Sequence, residues 1–189
     1  MKKKIIVALT IIVVLAVIIG LFIVNKLYTR YELGDYGVSL KAINSYQKIE
    51  DDAQLLLLYN FAKDITINVK ELEGDFWSKD DIDTINDEYI RLISAIDYDC
   101  NIFDVKKEKK KIDFKEVGMV ELQADRVSKK FKLITILTHK SNGFLAIEIF
   151  GDPEVMDNNS KEIENIINSI KFSENKHDYS LDVKSGDVK

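Results

Sequence analysis

The sequence holds one cysteine and two histidines in 189 residues, and each scarcity removes a class of protein. A lone thiol, Cys100, permits no intrachain disulfide, so a disulfide-stapled extracellular fold is excluded and the core must hold itself by packing. With no Cys or His neighbour, Cys100 reads as a small half-buried residue rather than a nucleophile. His139 and His177 are far apart, the second in a polar tail, and neither stands in a zinc spacing such as HExxH. No GxSxG, phosphate-binding loop, dinucleotide fingerprint or CxxC occurs. The expectation is therefore no enzyme, with no catalytic residue, no cofactor and no metal site.

Acidic residues are missing from the N-terminus: none precedes Glu32. Met1-Lys2-Lys3-Lys4 leads into 20 uncharged residues, Ile5 to Val24. An export signal has an apolar core of roughly 7 to 15 residues and a small-x-small cleavage site. This run is longer, and at about 1.5 Å per residue it makes a helix of about 30 Å, the thickness of a bilayer's hydrocarbon core. Downstream stand Asn25-Lys26-Leu27-Tyr28, bulky where a peptidase needs small side chains, and there is no lipobox cysteine. A prepilin would need an early Glu in the apolar run. The reading is an uncleaved signal anchor over residues 1–24, spanning the membrane through 5–24. Lys2, Lys3, Lys4 and the amino terminus outweigh Lys26 and Arg30, which favours a cytoplasmic N-terminus and an extracytoplasmic C-terminal domain, single-pass in the cell membrane.

Positive charge is scarce in the rest. The chain has 27 basic and 32 acidic residues, and the first 30 residues take five of the basic ones and none of the acidic, leaving 22 against 32, a net charge of about −10. That argues against a nucleic-acid partner, because phosphate neutralisation supplies much of such affinity. Anionic headgroups would repel most of such a domain. The abundance of Lys, Ile and Asn resembles the coding bias of an AT-rich bacterial genome.

Residues 25–34 read as a short stalk, 35–172 as one domain, and 173–189 as a disordered polar tail. Tyr36, Val38 and Leu40 alternate as a first strand; QLLLLY (54–59) suits a buried strand, and Ile65, Ile67 and Val69 alternate in another. Ser78, with Asp81 three residues on, forms a capping box flanked by Trp77 and Ile82, and Ile82, Ile85, Tyr89, Ile93 and Ile96 continue at helical spacing, so a helix is expected over about 79–96. Asp80, Asp81, Asp83 and Asp87 suggest calcium only superficially: the EF-hand pattern and its glycine are absent, and the helix dipole favours carboxylates there. Strands are then expected at 101–105 and 112–117, joined by the basic run Lys106, Lys107, Glu108, Lys109, Lys110, Lys111 as a solvated hairpin tip. Those five lysines are the candidate contact for an anionic lipid or wall polymer. Further strands are expected at 119–124, 130–138 and 143–150, the last two joined by an Asn142-Gly143 hairpin turn. Asn159, boxed with Glu162, starts a closing helix whose stripe is Ile163, Ile166, Ile167 and Ile170.

This order gives an α+β domain, a largely antiparallel β-sheet covered by helices, preceded by one transmembrane helix. DYGVSL at the start, VELQADRVSKKFKLITILTHKSNGFLAIEIF as late strands and SKEIENIINSIKF at the close resemble the PsbP-like family, over roughly residues 35–172. That fold, an αβα sandwich, is shared with a Ran-binding nuclear import factor. The family's proline and tryptophan after the first strand are replaced by Lys41-Ala42-Ile43-Asn44-Ser45-Tyr46, and no family site residue carries over. The resemblance implies a noncatalytic domain that binds or organises partners.

Three functions follow as expectations. The first is a membrane-anchored extracytoplasmic binding or scaffold domain engaging another envelope or membrane protein. The second is a wall- or lipid-acting enzyme using paired carboxylates. The third is a small-ligand or ion sensor built on Glu148. In LAIEIF, Glu148 shares a face with Phe144, Ala146 and Phe150 while Leu145, Ile147 and Ile149 line the other, so the carboxylate is expected to be buried, as a ligand site or as half of an ion pair.

Overall fold

A computed structural model describes residue 10, residues 12–15, residue 17 and residues 27–73, 82–96, 100–126, 129–140 and 143–173. In chain order the elements are β1 (Tyr28–Leu33), a 3-10 turn (Gly34–Tyr36), β2 (Val38–Ile43), β3 (Gln47–Ile49), β4 (Leu56–Asn60), β5 (Ile65–Glu73), α1 (Ile82–Ile96), β6 (Cys100–Ile112), β7 (Lys115–Arg126), β8 (Lys129–Lys140), β9 (Gly143–Gly151), α2 (Pro153–Asn158), α3 (Ser160–Asn168) and β10 (Lys171–Phe172). A three-stranded sheet runs β1-β2-β10 and a seven-stranded sheet runs β3-β4-β5-β9-β8-β7-β6. Every pairing is antiparallel.

The central strands bury both faces, which is why β9 reads FLAIEIF without polar alternation. One face of the large sheet packs against the small sheet and the closing helices: Ile67, Ile136, Ile147 and Ile149 meet Leu40, Ile163, Ile166 and Ile170. The other face carries α1, with Ile85 and Tyr89 packed among Val120, Leu122, Leu133, Leu137 and Phe144. The layers are those of an α+β sandwich.

Several boundaries differ from the sequence reading. Residues 28–33, expected in a stalk, form β1 and pair with β2 from Tyr28↔Ile43 to Leu33↔Val38. Its one-sided burial is too weak for alternation to stand out. The lysine run is not a hairpin tip: it lies inside β6, an edge strand, and the tip is Asp113-Phe114. Charged side chains are tolerated on an edge because they discourage pairing with other chains. Strands expected separately at 112–117 and 119–124 are continuous as β7, running from Lys115. Before α3 stands a helix the sequence reading lacked, α2, with proline in its first turn and Asp152 accepting from the amides of Glu154 and Val155. The Asn159 side chain makes no cap bond, its amide donating instead to the Val155 carbonyl at 2.8 Å.

Trp77, Ser78, Asp80 and Asp81, the span 5–24 apart from residues 10, 12–15 and 17, and the tail beyond Ser173 lie outside the described residues. Among the described residues no helix is long and apolar enough to cross a membrane.

Candidate functional site

Three strands and one helix bring polar side chains together inside the α1 layer. The register sets Glu148 of β9 opposite Asn68 of β5 on one side and Thr135 of β8 on the other. Period two keeps Lys70 on the same face as Asn68, and α1 lowers Tyr89 onto the group. The Glu148 carboxylate accepts from Tyr89 Oη at 2.5 Å and from Asn68 Nδ2 at 3.1 Å, and it pairs with Lys70 Nζ at 2.6 Å. Thr135 Oγ1 donates to Tyr89 Oη at 3.0 Å, so a chain runs Thr135 to Tyr89 to Glu148. Glu148 is 4% exposed and Tyr89 is fully buried. Burial first, then the charge and hydrogen bond of Glu148, pushes the Tyr89 hydroxyl well above its ordinary value of 10.0, so it stays a neutral donor.

Proton transfer would need a free lone pair and access for a substrate. Here three donors take three of the carboxylate's roughly four lone-pair sites, and Glu148 is buried beneath α1. What the arrangement does chemically is fix α1 to the sheet, since a buried charge is tolerated only when paired and bonded. One turn towards the N-terminus, Asn86 lies between α1 and β7, 1% exposed, with neither amide atom hydrogen-bonded. It sits over Gly118, where an added Cβ would come within 2.2 Å of Asn86 Oδ1, so glycine is what lets helix and strand approach.

The lysines split by parity. Lys107 and Lys109 point to the α1 side and meet Asp87 at 2.5 Å and Asp83 at 2.9 Å. Four residues of helix rise about 6 Å and two of strand about 7 Å, so an i, i+4 acidic pair matches an i, i+2 basic pair. On the opposite face Lys106 reaches Glu121 at 3.6 Å, which also holds Lys132 at 2.8 Å. Lys110 is half-buried on that face and Lys111 is exposed on the α1 side. Two features that look unrelated in sequence, the acidic helix and the basic run, thus meet in two ion pairs, Lys107 with Asp87 and Lys109 with Asp83. Among the described residues no group of His, Cys, Asp or Glu is placed to hold a metal ion. Cys100 is half-buried, and His139 stands edge-on to Phe144 at 5.2 Å.

A pocket of about 370 Å³ opens where β5 begins and β9 ends, floored by Thr66, Phe131 and Phe150 and rimmed by Asp64, Lys129 and Asp152. Asp64 turns the chain at φ 53, and Gly151 lets it approach, because a Cβ there would lie 2.8 Å from the Asp64 carbonyl. Tyr59 Oη donates to Asp64 Oδ1 at 2.6 Å and Lys129 stands 3.4 Å from Oδ2. The hydrogen bond from Tyr59 is the main reason the Asp64 carboxyl lies below its usual range, with Lys129 adding to it. Sequence reasoning missed this site; its only signal is that Phe131 and Phe150 fall on the α1 side of strands whose partner residue was unknown.

No family model matches the sequence, and no curated protein does. Solved structures do. The cyanobacterial PsbP (CyanoP) from Synechocystis superposes with a TM-score of 0.59 at 9% identity, covering 78% of this chain and 94% of that one. The Saccharomyces cerevisiae Ran-binding protein Mog1p gives 0.52 at 11% identity, over 77% of this chain and 95% of that one. LpqN, involved in cell envelope biogenesis of Mycobacterium tuberculosis, gives 0.50 at 11%, over 77% and 90%. At such identities the likeness establishes the fold alone, a PsbP-like/Mog1 fold with large antiparallel sheets and few helices.

Proposed function

We propose that this protein is a membrane-anchored extracytoplasmic binding or scaffold domain, without catalytic activity, that engages another envelope or membrane protein. The observation that carries the anchor is local: Ile12, Val13, Val14, Leu15 and Val17 are helical and 50–64% exposed, inside an uncharged run of 20 residues. Apolar helical side chains left uncovered by their own domain are what a bilayer would bury. The excess of Lys2, Lys3 and Lys4 over Lys26 and Arg30 supports an outward-facing domain. For the binding role, the support is a fold shared with a protein whose name states that it binds Ran and with one involved in envelope biogenesis. A Glu148 carboxylate held by Tyr89, Asn68 and Lys70 supports a structural ion pair there over the Glu148 sensor.

The test is crosslinking of intact cells with a membrane-impermeant reagent, followed by purification of the full chain and mass spectrometry. The expected result is a reproducible protein partner joined through residues 31–172. Labelling without a partner would overturn the binding role, and absence of labelling together with protection from external protease would overturn the outward topology.

A further inference from the structure

Beyond the N-terminal run, four large apolar side chains are exposed among the described residues: Leu27, Phe61, Val105 and Phe114. Two of them, Leu27 and Phe61, gather at the end of the domain where the chain arrives from the apolar run. The route between them is short and hydrogen-bonded. The Leu27 carbonyl accepts from the Asn44 amide at 2.9 Å, Ser45 follows, Ser45 Oγ accepts from Asn60 Nδ2 at 3.0 Å, and Phe61 follows Asn60.

The turn that carries Phe61 is braced from beneath. Asn60 is buried at 1% exposure, its carbonyl accepts from the Asp64 amide at 2.8 Å, and its side-chain oxygen accepts from the Ala62 amide at 3.2 Å. The Phe61 ring stands edge-on to Tyr59 at 4.6 Å and is still 62% exposed. A fixed turn therefore projects an aromatic ring outward, with Lys129 and Lys130 exposed nearby on the start of β8.

Tether length decides what the ring meets. Between Val24, where the apolar run stops, and Tyr28, where β1 starts, lie only residues 25–27. Four Cα steps reach at most about 15 Å, so this end of the domain cannot leave the surface that holds the run. We infer that, in the anchored protein, the β4–β5 turn is a membrane-contact element whose Phe61, with Leu27, enters the boundary between headgroups and acyl chains. The inference rests on the proposed anchor. An aromatic ring flanked by lysines suits that boundary, where rings sit among headgroups and long basic side chains extend to water. The contact also sets orientation. Cys100 is linked to this end through the pairs Cys100↔Arg126, Asp125↔Lys130, Lys132↔Gly151 and Ile65↔Gly151, and Lys111, opposite Glu116, stands ten β7 residues from Arg126, about 33 Å farther at about 3.3 Å per residue. The basic strand and Phe114 are then carried away from the lipid and towards a protein partner.

The test uses the full chain with Cys100→Ser, reconstituted in phosphatidylcholine/phosphatidylglycerol vesicles and labelled with an environment-sensitive fluorophore at Phe61→Cys or Phe114→Cys. The label at 61 should be quenched by lipids spin-labelled near the headgroup at least about three times as strongly as the label at 114, as expected for a group about 5–10 Å inside the boundary. A second pair, Ala62→Cys with and without Phe61→Ser, should lose that quenching when the ring is removed. If the chain floats with the vesicles and the two labels are quenched alike, the contact is overturned while the anchor stands. If the label at 61 is shielded in native membranes but not in protein-free vesicles, the occupant is a protein and the inference fails. If the chain does not float, the anchor fails and takes the contact with it.

Discussion

The two faces of the large sheet solve one problem differently. Towards the small sheet and α3 the filling is mostly aliphatic, isoleucine on isoleucine, with Tyr46 among it and Asn60 and Thr138 as the buried polar side chains on that side. Towards α1 the aliphatic filling is interrupted by Glu148, Asn68, Thr135 and Asn86, all buried and polar. The first face derives from area removed from water. The second depends on donors meeting acceptors at stated distances, and a half-satisfied network is costlier than none. The difference shows that α1 is placed by direction as well as by burial.

The largest loss is expected from Ile147→Ala on the aliphatic face, about 2–5 kcal/mol by lost transfer energy and cavity. Its neighbour in the comparison is Lys70→Met, which leaves the buried Glu148 carboxylate with neutral donors only; removing one partner of such a pair costs about 3–5 kcal/mol, and the 23% exposure of the Lys70 side chain puts it at the low end. Urea unfolding of the full chain in detergent gives both values. If Lys70→Met were as harmless as a surface change, the α1 face would not depend on its ion pair.

Gly118→Ala should follow at about 1–3 kcal/mol, because its methyl would collide with Asn86 Oδ1 and force α1 outward. Asn86→Ala should remove most of that loss when combined with it, a coupling that a double-mutant cycle reads directly. Equal losses in the single and double variants would mean that the helix does not rest on this glycine.

Alkali separates the faces next. The Tyr89 hydroxyl is raised in the fold, so the stability it contributes is complete below the unfolded value of 10.0 and is lost as pH climbs from there towards the folded value. Tyr46, also buried and beside Glu162, is raised in the same sense on the aliphatic face. Tyr89→Phe should cost about 1.5–3 kcal/mol at pH 7 for the lost hydrogen bond to a buried carboxylate, yet flatten the fall in melting temperature above pH 10. A slope unchanged from the parent would assign the alkaline loss to the other groups raised in the fold, Tyr31, Tyr46, Tyr59 and Lys132.

How much of this was legible depends on whether a signal was local. The β2 and β5 strands and the α1 stripe show in alternation or helical spacing, β8 and β9 show as apolar runs joined at Asn142-Gly143, and the apolar residues on both sides of Glu148 mark it for burial. Its partners were not readable, because Asn68, Lys70 and Tyr89 are 59 to 80 residues away and only the β5–β9 register and the seat of α1 bring them in. β1 hides in the sequence because its partner β2, not its own pattern, makes it a strand. The true hairpin tip hides because a run of lysines looks like solvent, whereas an edge strand is half solvent already. Asp64 at the pocket rim gave no periodic signal at all, being a turn residue whose role comes from Tyr59 and Gly151.

The same lysines make the smallest and sharpest test. Lys107 and Lys109 face Asp87 and Asp83 with side chains 41–68% exposed, so water screens each pair. Exposed pairs contribute about 0.2–1 kcal/mol, and salt at 1 M shortens the screening length to about 3 Å. Lys107→Ala and Lys109→Ala should each lower stability by less than about 1 kcal/mol in low salt and by almost nothing in 1 M salt, whereas Lys70→Met should keep most of its loss at both. If the losses at Lys107 and Lys109 persisted in high salt, these lysines would be acting through the packing of their alkyl stems against α1. The polar face would then have a rim held by contact instead of charge, and its contrast with the aliphatic face would shrink to the single ion pair at Glu148.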